Sequence, residues 1–140
     1  MSLLIERSDD LVACLALRHE VFVVEQNVSL KEEQDGLDPD AVHFLASMDG
    51  VPVGTCRILI KGNTGKIGRI CVVKSARGTG CGASLVRSSI AYLSTVSGVT
   101  RAMLGAQEHA IGFYERLGFT AFGPSYMDAG IPHRDMERSL

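Results

Sequence analysis

Three glycines, Gly78, Gly80 and Gly82, stand between an apolar run ending in "ICVV" and the helically spaced segment "ASLV". Where a strand gives way to a helix, such a loop leaves backbone N–H groups free at the positive end of the helix dipole, and phosphate oxygens bind there. Glycine also lets an anion approach the backbone closely, since no side chain intervenes. Arg77 adds a forked cationic donor immediately before the loop. These residues predict a cradle for a phosphorylated ligand.

Three nucleotide-binding patterns compete for the loop. The P-loop requires a lysine after its glycines, and none follows here. The dinucleotide fingerprint GxGxxA is met by Gly78, Gly80 and Ala83, but it needs an acidic residue about 20 positions on to hold a ribose. No acid occurs from Gly50 to Gln107. The third pattern, [RQ]xxGx[GA], is filled by Arg77, Gly80 and Gly82.

Charge is distributed unevenly around this loop. Residues 1–49 hold 11 acids and 3 bases, 50–107 hold no acid and 8 bases, and 108–140 hold 5 acids and 3 bases. The basic block favours a polyanionic ligand, or else forms a solvated basic face. Conversely, "EQNVSLKEEQDGLDPD", Glu25 to Asp40, carries six acids against one lysine and reads as a solvated loop or a site that attracts a cation.

The elements that must position these residues follow from hydrophobic spacing. "LLIERS" reads as a strand, and Asp9 or Asp10 caps a helix running to about Phe22. "VHFLASM" and "VPVGTCRILI" flank "DG", a hairpin signal, and "KIGRICVV" follows as the next strand. Leu85, Val86, Ile90, Leu93 and Val96 share one face of a helix from Thr79 to Val96, with Gly98 placed to end it. "TRAML" is a strand, Glu108–Leu117 a helix, and "FTAFGPSYM" and "HRDMERS" are final strands. The pattern predicts an α/β chain with a mixed sheet covered by helices.

Length and composition, 140 residues with 46% hydrophobic and 21% charged, fit a single globular domain over residues 1–140. The start "MSLLIERSDD" lacks the apolar region of a signal peptide, and the longest apolar run, Leu11 to Leu17, falls far short of a membrane span of roughly 20 residues. A cytoplasmic protein without a membrane partner is therefore expected. Cys14, Cys56, Cys71 and Cys81 form no CxxC pair and read as free buried thiols, with no metal site.

With "IGRICVV", "RGTGCG", "TRAML" and "FYERLGF" in this order, the chain resembles the GNAT superfamily of acetyl-CoA-dependent N-acetyltransferases, most strongly over residues 67–122. The segments "VFVVEQ", "EEQDGLD", "LGAQ" and "AGIPH" are similar to its small bacterial ElaA-like branch. That resemblance implies a central, mostly antiparallel sheet of six to seven strands with about four helices. It implies that Cys71, Val72 and Val73 pair with the pantetheine arm of acetyl-CoA, and that Arg77, Gly78, Thr79, Gly80, Cys81 and Gly82 hold the pyrophosphate. Gln107 stands where the family often has asparagine, and its longer amide replaces that contact or loses it. Tyr114 would protonate the departing CoA thiolate, because a phenol holds its proton at neutral pH yet gives it to a developing thiolate.

The proton acceptor is less defined. His133 and Glu33 are catalytic candidates; Asp35, His43 and Arg69 are candidates for contacting the acceptor. Each also has an ordinary role, as solvated acid, capping histidine or ion-pair partner, and Arg57 and Arg69 either hold a phosphate or pair with an acid. The resemblance implies transfer of acetyl from acetyl-CoA to a primary amine by direct attack in a ternary complex. The acceptor is a cationic small molecule or else a protein amine; a non-catalytic CoA-binding regulatory module is the alternative. Nucleic acid is disfavoured by the sequence pI of about 6.1. Members of the superfamily often pair through their sheets or final strands, so a homodimer is compatible with the resemblance.

Overall fold

The computed structural model describes residues 2–140. Seven strands form one sheet: β1 (Leu3–Arg7), β2 (Val42–Met48), β3 (Val51–Lys61), β4 (Thr64–Val72), β5 (Arg101–Gln107), β6 (Thr120–Asp128) and β7 (Ile131–Ser139). Their order is β1-β2-β3-β4-β5-β7-β6. Every neighbouring pair is antiparallel except β4 and β5, which run parallel. Four α-helices accompany them: α1 (Leu11–Arg18), α2 (Leu30–Glu33), α3 (Cys81–Leu93) and α4 (Ile111–Glu115). The strand pattern predicts a mixed sheet, and its seven mostly antiparallel strands with four helices are what the family resemblance implies.

Local chemistry sets the element ends. Asp10 caps α1 by accepting from the Ala13 amide at 3.1 Å, as its position before an apolar run predicts. The helix does not run on to Phe22 as α-helix, however. From His19 to Glu25 it loosens into a π-helix, closed by Gln26 N–H donating to the Val21 carbonyl at 3.0 Å. The hairpin turn falls at Asp49 and Gly50, both with positive φ (51° and 82°), as the Asp-Gly signal requires. The α4 region is likewise shorter than its spacing suggests, because Glu108–Ala110 wind as a 3-10 turn before Ile111.

The core lies between the sheet and α3, where Ile58, Ile67, Leu85, Leu93, Leu104 and Met136 are buried. Cys56 Sγ lies 3.2 Å from Ser89 Oγ across that interface. All four cysteines are buried and free. Among the described residues, no helix is long and apolar enough to cross a membrane.

Two irregularities lie along β4. This strand and β5 pair only from Thr64 to Lys66 against Arg101 to Met103; beyond that they diverge. On its other edge β4 carries a bulge: Thr55 faces Cys71 and Arg57 faces Gly68, so Cys56 alone opposes both Arg69 and Ile70. Arg69 takes the left-handed conformation there, with φ 51°.

Candidate active site

The divergence of β4 from β5 opens a cavity of about 540 Å³. That volume suits a small-molecule ligand. Ile67 to Val72 line one wall, Gly105 and Gln107 the other, and Tyr114, Tyr126 and His133 close the far side. Beyond Lys66, β4 has no strand partner on the β5 side, so its backbone edge faces open space. An extended ligand can pair there as an added strand does.

At the Val72 end the chain enters the glycine loop. Gly78 and Gly80 adopt φ of 78° and 85°, the left-handed region that glycine occupies without strain. Gly80 is the residue before α3, and no side chain among the described residues caps that helix, so its first amides lack a side-chain partner, as an anion site requires. Gly82 differs from both. Its φ is ordinary, and a Cβ built on it would lie 3.5 Å from Phe113 Cζ and 3.8 Å from Val72 Cγ2, both ordinary contacts. Among the described residues, no contact or backbone conformation requires glycine at position 82.

Arg77 does not point an empty fork at that loop. Its two terminal nitrogens donate to the Glu25 carboxylate, both at 2.6 Å, and its Nε donates to the Val72 carbonyl at 3.0 Å. Gln107 is engaged as well. Its Nε2 donates to Gln26 Oε1 at 3.0 Å, and its Oε1 lies 2.7 Å from His109 Nε2. Both partners, Glu25 and Gln26, sit at the end of the π-helix and line the cavity.

Tyr114, on α4, is packed edge-on against Phe113 and Phe119, with centroids 5.0 and 6.3 Å apart. Burial, followed by the nearby Cys56, pushes its phenol well above the usual tyrosine range. Its hydroxyl has no hydrogen-bond partner among the described residues, and the side chain lines the cavity. The phenol is thus held protonated, with its hydroxyl facing no protein partner among the described residues.

His133 lies on β7 directly opposite Gln107 on β5 and Tyr126 on β6. Its Nδ1 is 2.7 Å from the Ile131 carbonyl. A carbonyl can only accept, so Nδ1 carries the hydrogen, and in the neutral ring Nε2 keeps a free lone pair. Tyr126 stacks on the ring at 5.9 Å, with 21° between planes, and donates to Asp135 Oδ1 at 2.7 Å. Room for this tyrosine comes from Gly105, where a Cβ would stand 2.6 Å from the Tyr126 hydroxyl.

The acidic stretch behaves otherwise than its sequence suggests. Glu33 is paired with Arg18, whose side chain is 1% exposed; Arg18 also forks onto Asp38 at 2.7 and 3.1 Å. Arg57 holds Asp35 and, at 3.1 Å, Asp38; Arg69 reaches Asp35 at 3.3 Å. Three arginines therefore neutralise three of the acids read as drawing in a cation. Hydrogen bonds from Arg57 pull the Asp35 carboxyl far below the ordinary range against the opposing effect of burial. Burial raises Asp38, but Arg18 and then Arg57 outweigh it and its net shift is downward.

Of the sequence-predicted residues, Glu33, Arg69, Cys71, Val72, Arg77, Gln107, Tyr114 and His133 line one cavity. Val73 and the loop from Gly78 to Gly82 follow at its Val72 end. Asp35 and His43 lie outside the lining. His43 is buried behind the acidic stretch, its Nε2 3.0 Å from the Asp38 carbonyl. Sequence spacing passes over Tyr126, Gln26, Glu25 and Arg18. Only Arg18 carried a signal, since it falls four residues after Cys14 on the buried face of α1.

A sheet splayed at one parallel seam, with an amide cradle at the mouth of the split, is the architecture of an acyl-CoA-dependent acyltransferase. Residues 6–140 match the family model described as "Acetyltransferase (GNAT) domain", and the chain belongs to that family. It is 37% identical over 121 residues to the uncharacterised N-acetyltransferase YjcF of Bacillus subtilis, covering 86% of each chain. To protein ElaA of Escherichia coli it is 34% identical over 134 residues, 93% of this chain and 88% of that one. The crystal structure of Escherichia coli ElaA superimposes with a TM-score of 0.87, at 31% identity, over 98% of this chain and 99% of that one. An acyl-CoA N-acyltransferase from Pseudomonas aeruginosa gives 0.84 at 34% identity, over 98% of each chain. The protein is thus an acyltransferase of an acetyl-CoA-using family, with an ElaA-like chain.

Proposed function

We propose that the enzyme moves acetyl from acetyl-CoA onto a primary amine by direct attack while both substrates are bound, with His133 as base and Tyr114 as acid. The observation that carries this reading is the presence on one cavity of two unspent groups of opposite kind. The neutral His133 ring has a bare Nε2 when Nδ1–H is committed to Ile131, and the Tyr114 hydroxyl has no hydrogen-bond partner among the described residues while burial holds its proton. The bound thioester supplies an activated acyl group. His133 Nε2 takes the proton that the amine loses, and the Tyr114 hydroxyl gives one toward the departing sulfur. Free amides on the β4 edge near Val72 orient the arm and polarise the acyl oxygen. With Arg77 held by Glu25, the pyrophosphate falls to the loop amides and the start of α3.

Cys71 supports the direct route. It lines the cavity, but burial pushes its thiol far above the ordinary range despite the lowering effect of Arg18. A covalent acyl-cysteine relay requires a thiolate. Glu33 is less suited than His133 to take a proton, since its carboxylate already serves Arg18 and its side chain is only 2% exposed.

The test is calorimetric titration with acetyl-CoA, dephospho-CoA and NAD, followed by a thiol-release assay over primary amines on a two-substrate grid. Selective acetyl-CoA binding with intersecting rate lines is expected. Parallel lines would establish a covalent relay and overturn the direct mechanism, and absence of acetyl-CoA binding would remove the whole reading.

A further inference from the structure

Arg69 is the least neutralised cation of the cluster around the acidic stretch. Arg18 and Arg57 reach Asp38 and Asp35 at 2.7 and 2.8 Å. Arg69 is left with Asp35 at 3.3 Å and Glu33 at 3.8 Å. Its Nε and Nη2 are anchored by the Glu32 and Glu33 carbonyls at 3.1 to 3.3 Å. Nη1 has no partner among the described residues, and the side chain lines the cavity beside Lys66, which also lacks an acidic partner there. Burial and the like charge of Arg57 lower its proton affinity, consistent with a cation short of negative neighbours.

The backbone adds a second observation. Arg69 sits in the bulge at φ 51°, a conformation that costs a non-glycine residue roughly 1–2 kcal/mol. The hydrogen bonds to the Glu32 and Glu33 carbonyls hold the side chain at this strained position and fix where the guanidinium stands. Next to it, Gly68 lines the cavity with an ordinary φ, and a Cβ there would touch nothing within 4 Å. The floor before the guanidinium is thus kept open.

We infer that Arg69, assisted by Lys66, binds a carboxylate on the acceptor, so that the amine acetylated belongs to an amino-acid-like molecule. This rests on the acetyltransferase reading above and names its substrate class. Arg69 lies three residues before Val72, about 10 Å of strand, and its long side chain covers some of that gap. A small molecule can therefore present its amine to the acyl group and its carboxylate to Nη1. The arginine selects and orients the acceptor; it takes no part in proton transfer.

The test compares matched pairs differing only in this group: N-acetyl amino acids against their carboxamides, titrated into protein saturated with CoA. Wild type is expected to bind carboxylates at least tenfold more tightly than carboxamides, and Arg69→Gln to bring the ratio near one, with Arg69→Lys recovering some of it. Misfolding or a purely structural role would weaken both members of a pair together, leaving the ratio unchanged, and would overturn the assignment. So would a wild-type ratio near one, or a panel in which no carboxylate binds. Because CoA binding is measured first and separately, failure of the acetyltransferase reading is distinguishable from failure of this one.

Discussion

Replacing Gly82 by alanine separates what the fold needs from what the ligand needs. The backbone there is ordinary helix, and the added methyl meets only Phe113 at 3.5 Å and Val72 at 3.8 Å. Alanine in a helix is favoured over glycine by roughly 0.5–1 kcal/mol. The free protein should therefore become more stable, with Tm rising about 2–4 °C for a domain of this size. On the proposed cradle, the same methyl would occupy the space through which a phosphate oxygen reaches the first amides of α3. Loss of one charge-assisted hydrogen bond, worth about 1.5–3 kcal/mol, weakens CoA roughly 10- to 100-fold. Scanning calorimetry of the free protein and titration with CoA and dephospho-CoA read the two effects. If the loop holds the pyrophosphate as proposed, the weakening should be equal for both ligands, which differ only in the 3′-phosphate. A stabilised variant that binds CoA as wild type does would refute the cradle; a destabilised variant would refute the claim that the fold tolerates a side chain here.

Tyr114→Phe should lower kcat by about 10² or more while leaving acetyl-CoA affinity within a few fold, because only the proton donor is lost; steady-state kinetics with calorimetry checks both. Arg18→Leu strips the partner from buried Glu33 and Asp38 and should cost about 3–5 kcal/mol in denaturant unfolding. For acid, the folded-state carboxyls of Asp35 and Asp38 lie below their unfolded values. The unfolded chain then binds more protons, so their stabilisation is full above the ordinary carboxylate range near pH 4 and fades as pH falls below it. Unfolding followed from pH 7 to pH 2 should show that loss, and it should be much reduced in Asp35→Asn.

Strands and the glycine loop were legible because each has a local cause. Alternation, the Asp-Gly turn and the capping Asp10 act within a few residues, and the glycines announce themselves by type. The π-helix from His19 to Glu25 was not legible, since its residues have ordinary helical spacing and only tertiary contacts decide the winding. Charge misled for a related reason. The acidic segment between β1 and β2 is distant in sequence from the acid-free middle but folds against it, so Arg57, Arg69 and Arg77 find Asp35, Asp38, Glu33 and Glu25. Three of the eight bases that read as a field for a polyanion are thus the basic half of an internal pairing. Gly105 shows the same limit: its purpose is Tyr126, which stands across β7, and no spacing rule links them.

The order β5-β7-β6 sets a timetable for the nascent chain. β1 to β4 join through pairings of sequence neighbours and can assemble as they emerge. β5 cannot: its second neighbour is β7, with Arg101 opposite Ser139. Between synthesis of Gln107 and of Ser139 lie 32 residues, about 2–6 s of translation at 5–20 residues per second. For that interval one edge of a largely apolar strand waits unpaired, the condition under which strands recruit wrong partners. Slowing the ribosome over residues 108–139 lengthens the exposure, and so synonymous codon choice in that stretch should alter the soluble yield of an unchanged protein.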